Sequence, residues 1–294
     1  MQPETVGDAI ARVEDPADRA RLASMVPDPR AIDGYALRTL PGGRSEDELY
    51  RRAMDPEGRR RAVLLFGESG SGKTLSPYMF AARHGLPVAV IEGHNGFDPE
   101  VVWADRYQDP ETGIWGYTES DATLICRYGN GVIIADEIGR IPPKSQSALF
   151  ALFDDRRRIT LPSKEVVRMA DNVLIAATTN PPHYAGVSQI DPALWDRCSP
   201  VMEWGYSREV EKQLLTSATL LEMAWDVRKS REFETPMSTR QLVEFEELVA
   251  DMGWSFARSA LIARYDEMEK VAIGTTLDNR GPSIADELGV EYDY

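Results

Sequence analysis

The stretch Phe66–Leu75, FGESGSGKTL, sets small and flexible residues ahead of a lysine and a hydroxyl. Gly67, Gly72, Lys73 and Thr74 fit the spacing G-x-x-x-x-G-K-[ST], whose residue types suit capture of a polyphosphate. Glycines let backbone amides turn toward an anion with no Cβ in the way. A helix opening near Gly72 would aim its unpaired N–H groups and positive dipole end at the same anion. On this reading Glu68, Ser69, Gly70 and Ser71 form the loop and Leu75 closes it. The Lys73 ammonium then reaches the β- and γ-phosphates of ATP, and the Thr74 hydroxyl ligates Mg²⁺. Average residue frequencies give such a match by chance roughly once in 100 chains of this length. The alternative is a plain glycine-rich turn.

A phosphate loop alone hydrolyses nothing. It needs a carboxylate for the magnesium shell and a base for the attacking water. The run VIIADE, Val132–Glu137, ends in both: Asp136 for the metal and Glu137 to polarise water. The alternative there is a strand end capped by solvated acids.

These residues need strand tips to hold them. Ala62–Phe66 reads as a short buried strand directly before the loop. Pro87–Glu92, Gly131–Glu137, Asn172–Asn180 and the weaker Pro200–Tyr206 are further apolar runs, continuous rather than alternating, as in a parallel sheet covered on both faces. Helical stretches at Thr74–His84, Lys144–Phe153 and Pro192–Cys198 separate them, so the pattern predicts a doubly wound α/β sheet. Pro77 falls about one turn into its helix, at the edge of what a helix tolerates. After Tyr206 the texture becomes helical, over Ser207–Val249 and Trp254–Val271. The expected organisation is an N-terminal arm at 1–30, a nucleotide-binding α/β domain at 31–206, and a helical domain at 207–294 ending in a loosely held polar tail from Gly274.

Composition limits the partners. The 294 residues include 48 acidic and 33 basic side chains, a net charge of −15. That balance argues against a general nucleic-acid binder, which needs clustered Lys and Arg. Arg59–Arg61 and Arg156–Arg158 are the dense basic triplets, each read first as a solvated face. Cys126 and Cys198 are the only cysteines and form no metal-ligand spacing, which fits a reducing compartment. No apolar run approaches membrane-spanning length, and the acidic N-terminus has no signal-peptide core, so a cytoplasmic location is expected. His84 and His183 lack metal-ligand partners and read as surface or packing residues.

Three longer segments resemble one family, the MoxR-type AAA+ ATPases. VIIADEIGRIPPKSQSALFALFDD looks like their Walker B region, with Gly139 where the family usually has Asn. LIAATTNPPHYAGVSQIDPALWDRC is similar to the sensor 1 segment and the Asp-Arg after it, and MSTRQL to the sensor 2 segment of the lid. The likeness covers residues 30–260, with the motifs in family order.

The resemblance implies an AAA+ core with an all-helical lid. It makes Asn180 the sensor 1 group that orients the water, Arg197 an arginine finger acting on a neighbouring subunit, and Arg240 sensor 2 on the same subunit's nucleotide. Arg156, Arg157 and Arg158 compete with Arg197 for the role in trans. Asn180 has the alternative of a turn former, Arg197 of an ion pair with Asp196 or lid acids, and Arg240 of a surface arginine. The family also implies a polar switch near Glu137, for which Glu92, His94 and Asn95 are open candidates.

An insert at about 97–125 has hairpin chemistry in RYQDPETGIWGYTES, and in ring ATPases this region faces the pore. Trp103, Tyr107 and Trp115 would then touch a client or else pack the insert. Ile32, Gly34 and Tyr35 sit where such chains form an adenine pocket.

By resemblance the chain is an ATP hydrolase in an oligomeric ring, a hexamer, that remodels or matures a protein client, with a von Willebrand factor A domain protein as the usual partner. The alternative is a nucleic-acid-directed motor, for which Arg106, Arg127 and Lys144 are the basic candidates.

Overall fold

The computed structural model describes residues 6–55, 62–182, 184, 186–230 and 233–293. Two short helices, α1 (Val6–Ala11) and α2 (Pro16–Ser24), open the chain. Asp15 starts α2 by accepting from the Ala17 and Asp18 amides, with Pro16 at the first helical position. This arm is fastened down. Leu22 is buried in the core, Arg21 donates to Asp121 at 2.6 Å, and the Tyr128 hydroxyl donates to Asp18 at 2.7 Å. Helix α3 (Glu46–Met54) begins at the Ser45 cap. The Arg59–Arg61 run and His183 lie outside the described residues.

Strand β1 (Ala62–Phe66) follows, fully buried but for its last residue. Helix α4 (Leu75–His84) ends at Gly85, whose left-handed backbone directs its N–H to the Ala81 and Ala82 carbonyls. Pro77 is the third residue of α4, inside the first turn, where an N–H has no intrahelical acceptor to lose.

Next come β2 (Val88–Glu92), the hairpin β3 (Ala104–Gln108) and β4 (Trp115–Glu119), α5 (Asp121–Tyr128) and β5 (Gly131–Asp136). The expected helix at Lys144–Phe153 is a 3-10 turn at Gln146–Leu149 followed by α6 (Phe150–Phe153). Buried Gln146 explains the break. Its side chain donates to the Ile141 carbonyl and accepts from the Asp191 amide, so this segment is tethered to loops rather than wound freely.

A second hairpin, β6 (Arg158–Thr160) and β7 (Val166–Arg168), was not expected. Only the central pair, Ile159 and Val167, is buried, too short an alternation to stand out beside an arginine triplet. Strand β8 (Val173–Thr179), helix α7 (Pro192–Arg197) and β9 (Cys198–Glu203) complete the α/β part.

Five of the strands form one parallel sheet in the order β2-β5-β8-β1-β9. Register decides what meets at its C-terminal edge: Glu92 lies opposite Asp136, and Phe66 opposite Thr179. Loops after parallel strands gather along that edge, which is where such sheets bind ligands. One apolar cluster covers each face, one around Leu64, Ile133 and Ile175, the other around Val63, Leu65, Ile134 and Trp204.

The chain divides into two compact units: Met1–Tyr35, Thr39–Gly67 and Lys73–Trp204, then Ala36–Arg38, Glu68–Gly72 and Gly205–Tyr294. The second is built on α8 (Arg208–Leu214), α9 (Ala218–Lys229), α10 (Thr239–Met252), α11 (Trp254–Ile262) and α12 (Glu267–Leu288). The loose polar tail expected from Gly274 is instead most of α12. Ile273, Leu277 and Ile284 are buried on its inner stripe, while Gly, Thr and Asp between them hide the period in sequence. Beyond α12, the Tyr292 ring packs tilted against Trp254, and Asp293 accepts from the Trp254 amide at 3.0 Å. No helix among the described residues is long and apolar enough to cross a membrane.

Candidate nucleotide site

The loop after β1 has the backbone a phosphate cradle needs. Gly70 and Gly72 hold positive φ, +70° and +88°, which glycine adopts without strain. Lys73 is buried, and its Nζ donates to the Gly67 carbonyl at 2.9 Å. The ammonium is thus folded back over its own loop. Ser71 Oγ donates to the Glu68 carbonyl at 2.8 Å, bracing the middle of the turn. Leu75 opens α4 with an exposed side chain.

At the end of β5, Asp136 Oδ1 accepts from two hydroxyls, Thr74 Oγ1 across the loop and Thr178 Oγ1 on neighbouring β8. A hydroxyl and a carboxylate in contact match the donors that Mg²⁺ takes from protein when phosphates and water fill its other positions. Thr74 and Asp136 therefore fit such an ion.

Glu137 follows in a left-handed conformation, φ 49° and ψ 43°, uncommon for a residue with a side chain. Its amide donates to Thr178 Oγ1 at 2.9 Å. Its carboxylate has two partners: Asn180 Nδ2 donates to Oε1 at 3.3 Å, and Arg140 Nε lies 2.8 Å from Oε2. Asn180 is 5% exposed and comes directly after β8. The structure therefore brings Lys73, Thr74, Asp136, Glu137 and Asn180 together at one edge of the sheet.

None of Glu92, His94 and Asn95 bonds Glu137 among the described residues. Arg140 and Asn180 are the polar side chains on its carboxylate. Gly93 makes the close approach on this side. Its amide donates to the Asp136 carbonyl at 2.8 Å, and a Cβ on it would lie 2.3 Å from the Glu137 carbonyl oxygen. Gly139 is equally constrained. A Cβ there would stand 2.7 Å from Thr179 Oγ1, so no asparagine side chain has room without displacement.

Arg197 ends α7. It donates to the Ala193 carbonyl, and its guanidinium lies 4.8 Å from the Phe150 ring centre. It pairs with no carboxylate among the described residues, Asp196 included. Of its competitors, Arg156 is held by Asp154, whose carboxyl this pair lowers to about 2. Arg157 donates to the Ala170 carbonyl.

In the second unit, the loop segment Glu68–Gly72 lies against the start of α10. A Cβ on Gly70 would sit 2.6 Å from Ser238 Cβ and 3.6 Å from Arg240 Cβ. Ser238 caps α10 in a reciprocal capping box with Gln241, which fixes where Arg240 emerges. Arg240 is exposed and has no hydrogen bond or ion pair among the described residues. The same loop is bonded by two residues that sequence reading missed. Arg38 donates to the Ser71 carbonyl at 3.2 Å, and the Tyr206 hydroxyl to that of Ser69 at 2.9 Å. Neither side chain carries a motif, since both reach backbone oxygens.

The remaining expectations sort by burial. Trp103 is in the core, whereas Tyr107 and Trp115 are exposed on the β3–β4 hairpin. Arg106 stacks on Trp115, and Arg127 is ion-paired to Glu119 and Glu165. Tyr35 gives its hydroxyl to Glu46 at 2.8 Å. His84 packs on Phe80 and reaches Asp47 at 2.8 Å.

Residues 62–198 match the family model described as AAA domain (dynein-related subfamily). The chain is 30% identical over 198 residues to midasin of Giardia intestinalis, covering 64% of this chain and 4% of that protein. It is 27% identical over 202 residues to BssE of Thauera aromatica, whose name describes a chaperone, covering 65% of this chain and 70% of that one. Chaperone MoxR1 of Mycobacterium tuberculosis is 31% identical over 173 residues, 58% of this chain and 43% of its own length. The chain thus spans a small part of midasin and under half of MoxR1.

Proposed function

We propose that the chain, whose residues 62–198 match the model of an AAA domain (dynein-related subfamily), is an ATP hydrolase that works in an oligomeric ring, a hexamer, to remodel or mature a protein client. The observation that carries this reading is the bonded series Thr74–Asp136–Thr178–Glu137–Asn180 across the tips of adjacent parallel strands, beside a buried lysine.

The amides of Gly67–Thr74 and the Lys73 ammonium bind the phosphates. Thr74 and Asp136 hold Mg²⁺, which when bound spreads positive charge over the phosphate oxygens. Glu137 accepts a proton from the attacking water, and Asn180 keeps its carboxylate and the water in line. Phosphoryl transfer gains from positive charge on the equatorial oxygens. Arg197 supplies it from a neighbouring subunit, and Arg240 from the same one.

A protein client suits a net charge of −15 better than DNA does. Of the three basic candidates for a nucleic-acid motor, Arg127 is neutralised and Arg106 is stacked on Trp115. The chaperone names of BssE and MoxR1 point the same way, and a von Willebrand factor A domain protein is the partner to test first.

The deciding experiment is Glu137→Gln. It should stop turnover while retaining bound ATP and stabilising the ring, seen by phosphate release and particle imaging. Wild-type turnover in that variant would remove Glu137 as the base, and stimulation of the wild type by DNA at moderate salt would favour the motor.

A further inference from the structure

We propose that Thr178 is a positioning residue for hydrolysis, its single hydroxyl locking Asp136 and the Glu137 backbone into one arrangement. This rests on the reading that Glu137 activates water. Thr178 is fully buried in β8, a strand whose other residues mostly serve packing. Its Oγ1 does two jobs at once. It donates to Asp136 Oδ1, and it accepts from the Glu137 amide at 2.9 Å.

Each bond answers a local need. Glu137 holds a backbone conformation that costs a side-chain-bearing residue energy, so a fixed acceptor for its N–H must help to retain it. Asp136 Oδ1 also accepts from Thr74. With both hydroxyls on Oδ1, the carboxylate cannot rotate freely, and Oδ2 is left for the water shell of a metal. A serine, threonine or similar donor–acceptor is the only type of side chain small enough to perform both roles here. The β8–β5 register supplies it, because Ala177 lies opposite Ala135 and so places Thr178 level with Asp136. Asn180, two residues on, meets the Glu137 carboxylate. β8 thus holds the backbone of Glu137 through Thr178, and the residue just beyond the strand, Asn180, holds its carboxylate.

The test is Thr178→Val, which keeps shape and β-branching but removes the hydroxyl, compared with Thr178→Ser, which keeps the hydroxyl. In Thr178→Val, kcat should fall roughly tenfold to a hundredfold, because a partly buried amide loses its acceptor and the base loses its frame. The magnesium concentration for half-maximal activity should rise. The dissociation constant of a fluorescent ADP analogue in EDTA should change by less than about threefold, since the phosphate loop is untouched. Thr178→Ser should recover kcat to within about threefold of wild type. If the valine variant is insoluble, Thr178→Ala carries the same expectation.

Wild-type kcat in the valine variant, or serine no better than valine, overturns the proposal. So does a parallel loss of nucleotide affinity in EDTA, which would mark a general packing role. If Glu137→Gln is inactive while Thr178→Val turns over normally, only this inference fails. If Glu137→Gln turns over normally, the reading beneath it fails.

Discussion

Replacing Gly93 with alanine adds one methyl group at the end of β2, and the structure says what that methyl meets. Ideal placement puts it 2.3 Å from the Glu137 carbonyl oxygen and 2.8 Å from both the Asp136 oxygen and the Glu137 carbonyl carbon. All three are backbone atoms, so no side chain can rotate away. Gly93 does not have a positive φ, so alanine brings no conformational penalty and the effect is steric alone. Relief requires the Glu137 turn to move by about 1 Å to reach ordinary contact distance. Overpacking of this kind costs about 1–3 kcal/mol, which for a unit of this size lowers Tm by roughly 2–10 °C.

Catalysis should suffer more than stability. A displacement of about 1 Å at a catalytic group costs on the order of a hundredfold in rate. The Glu137 carboxylate is carried on the backbone that must shift. The assay is steady-state phosphate release with thermal unfolding on the same preparations, using Gly96→Ala as the control. Its added methyl would meet only the His94 ring, at 3.5 and 3.7 Å, which are ordinary contacts. Gly93→Ala should lose about two decades of kcat with little change in KM, and Gly96→Ala neither. Wild-type kcat and Tm in Gly93→Ala would refute the close approach itself. A lower Tm with normal kcat would refute the link from that approach to the base.

Other outcomes follow from the same geometry. In the second unit, Glu211 is fully buried and takes bidentate bonds from Arg228 at 2.8 and 2.9 Å, plus bonds from Trp225 and Thr239. Arg228→Met should therefore cost about 3–5 kcal/mol by stranding that carboxylate, read as a lower urea midpoint. Cys126 and Cys198 have their thiols pushed up to about 12 by burial, so a thiol reagent at pH 8 should label neither in the native chain and both after unfolding. Glu287 accepts from the Ser217 and Thr219 hydroxyls, which hold its carboxyl below the usual range. A carboxyl lowered on folding stabilises above its unfolded pKa of about 4.3 and loses that contribution as pH falls through the folded value. Acid unfolding of Glu287→Gln should accordingly be less steep below about pH 4.3 than that of the wild type.

Much of the architecture is legible because its signals are local. Four consecutive apolar residues before a glycine-rich loop leave few readings other than a buried strand feeding a turn, and Val132–Glu137 repeats the logic with acids at the tip. The segments that escaped reading are those in which tertiary contacts override the local pattern. Gln146 sits inside an amphipathic run and would extend a helix. Its amide is taken by the Ile141 carbonyl and the Asp191 amide, so the run breaks. Helix α12 carries its buried residues so sparsely that the stretch reads as polar until α9 and α11 are seen to cover Ile273, Leu277 and Ile284.

The support of Glu137 is hidden for a different reason. Gly93, Thr178 and Arg140 each look ordinary: a glycine after a strand, a threonine within one, an arginine after a turn. What gives them their place is where the β5 tip stands between β2 and β8. Sheet order puts Gly93 beneath the Glu137 carbonyl and Thr178 beneath its amide, so one strained residue is gripped from both neighbouring strands. A residue held so tightly at its backbone needs freedom elsewhere, and its carboxylate has it. The Arg140 pair there is half exposed, and such pairs contribute about 0–1 kcal/mol. The backbone of Glu137 is held by contacts to Thr178 and Gly93, while its charged end is restrained by weaker, partly exposed partners. That division of labour suits the proposed role of Glu137 as a general base, and no single stretch of the sequence contains it.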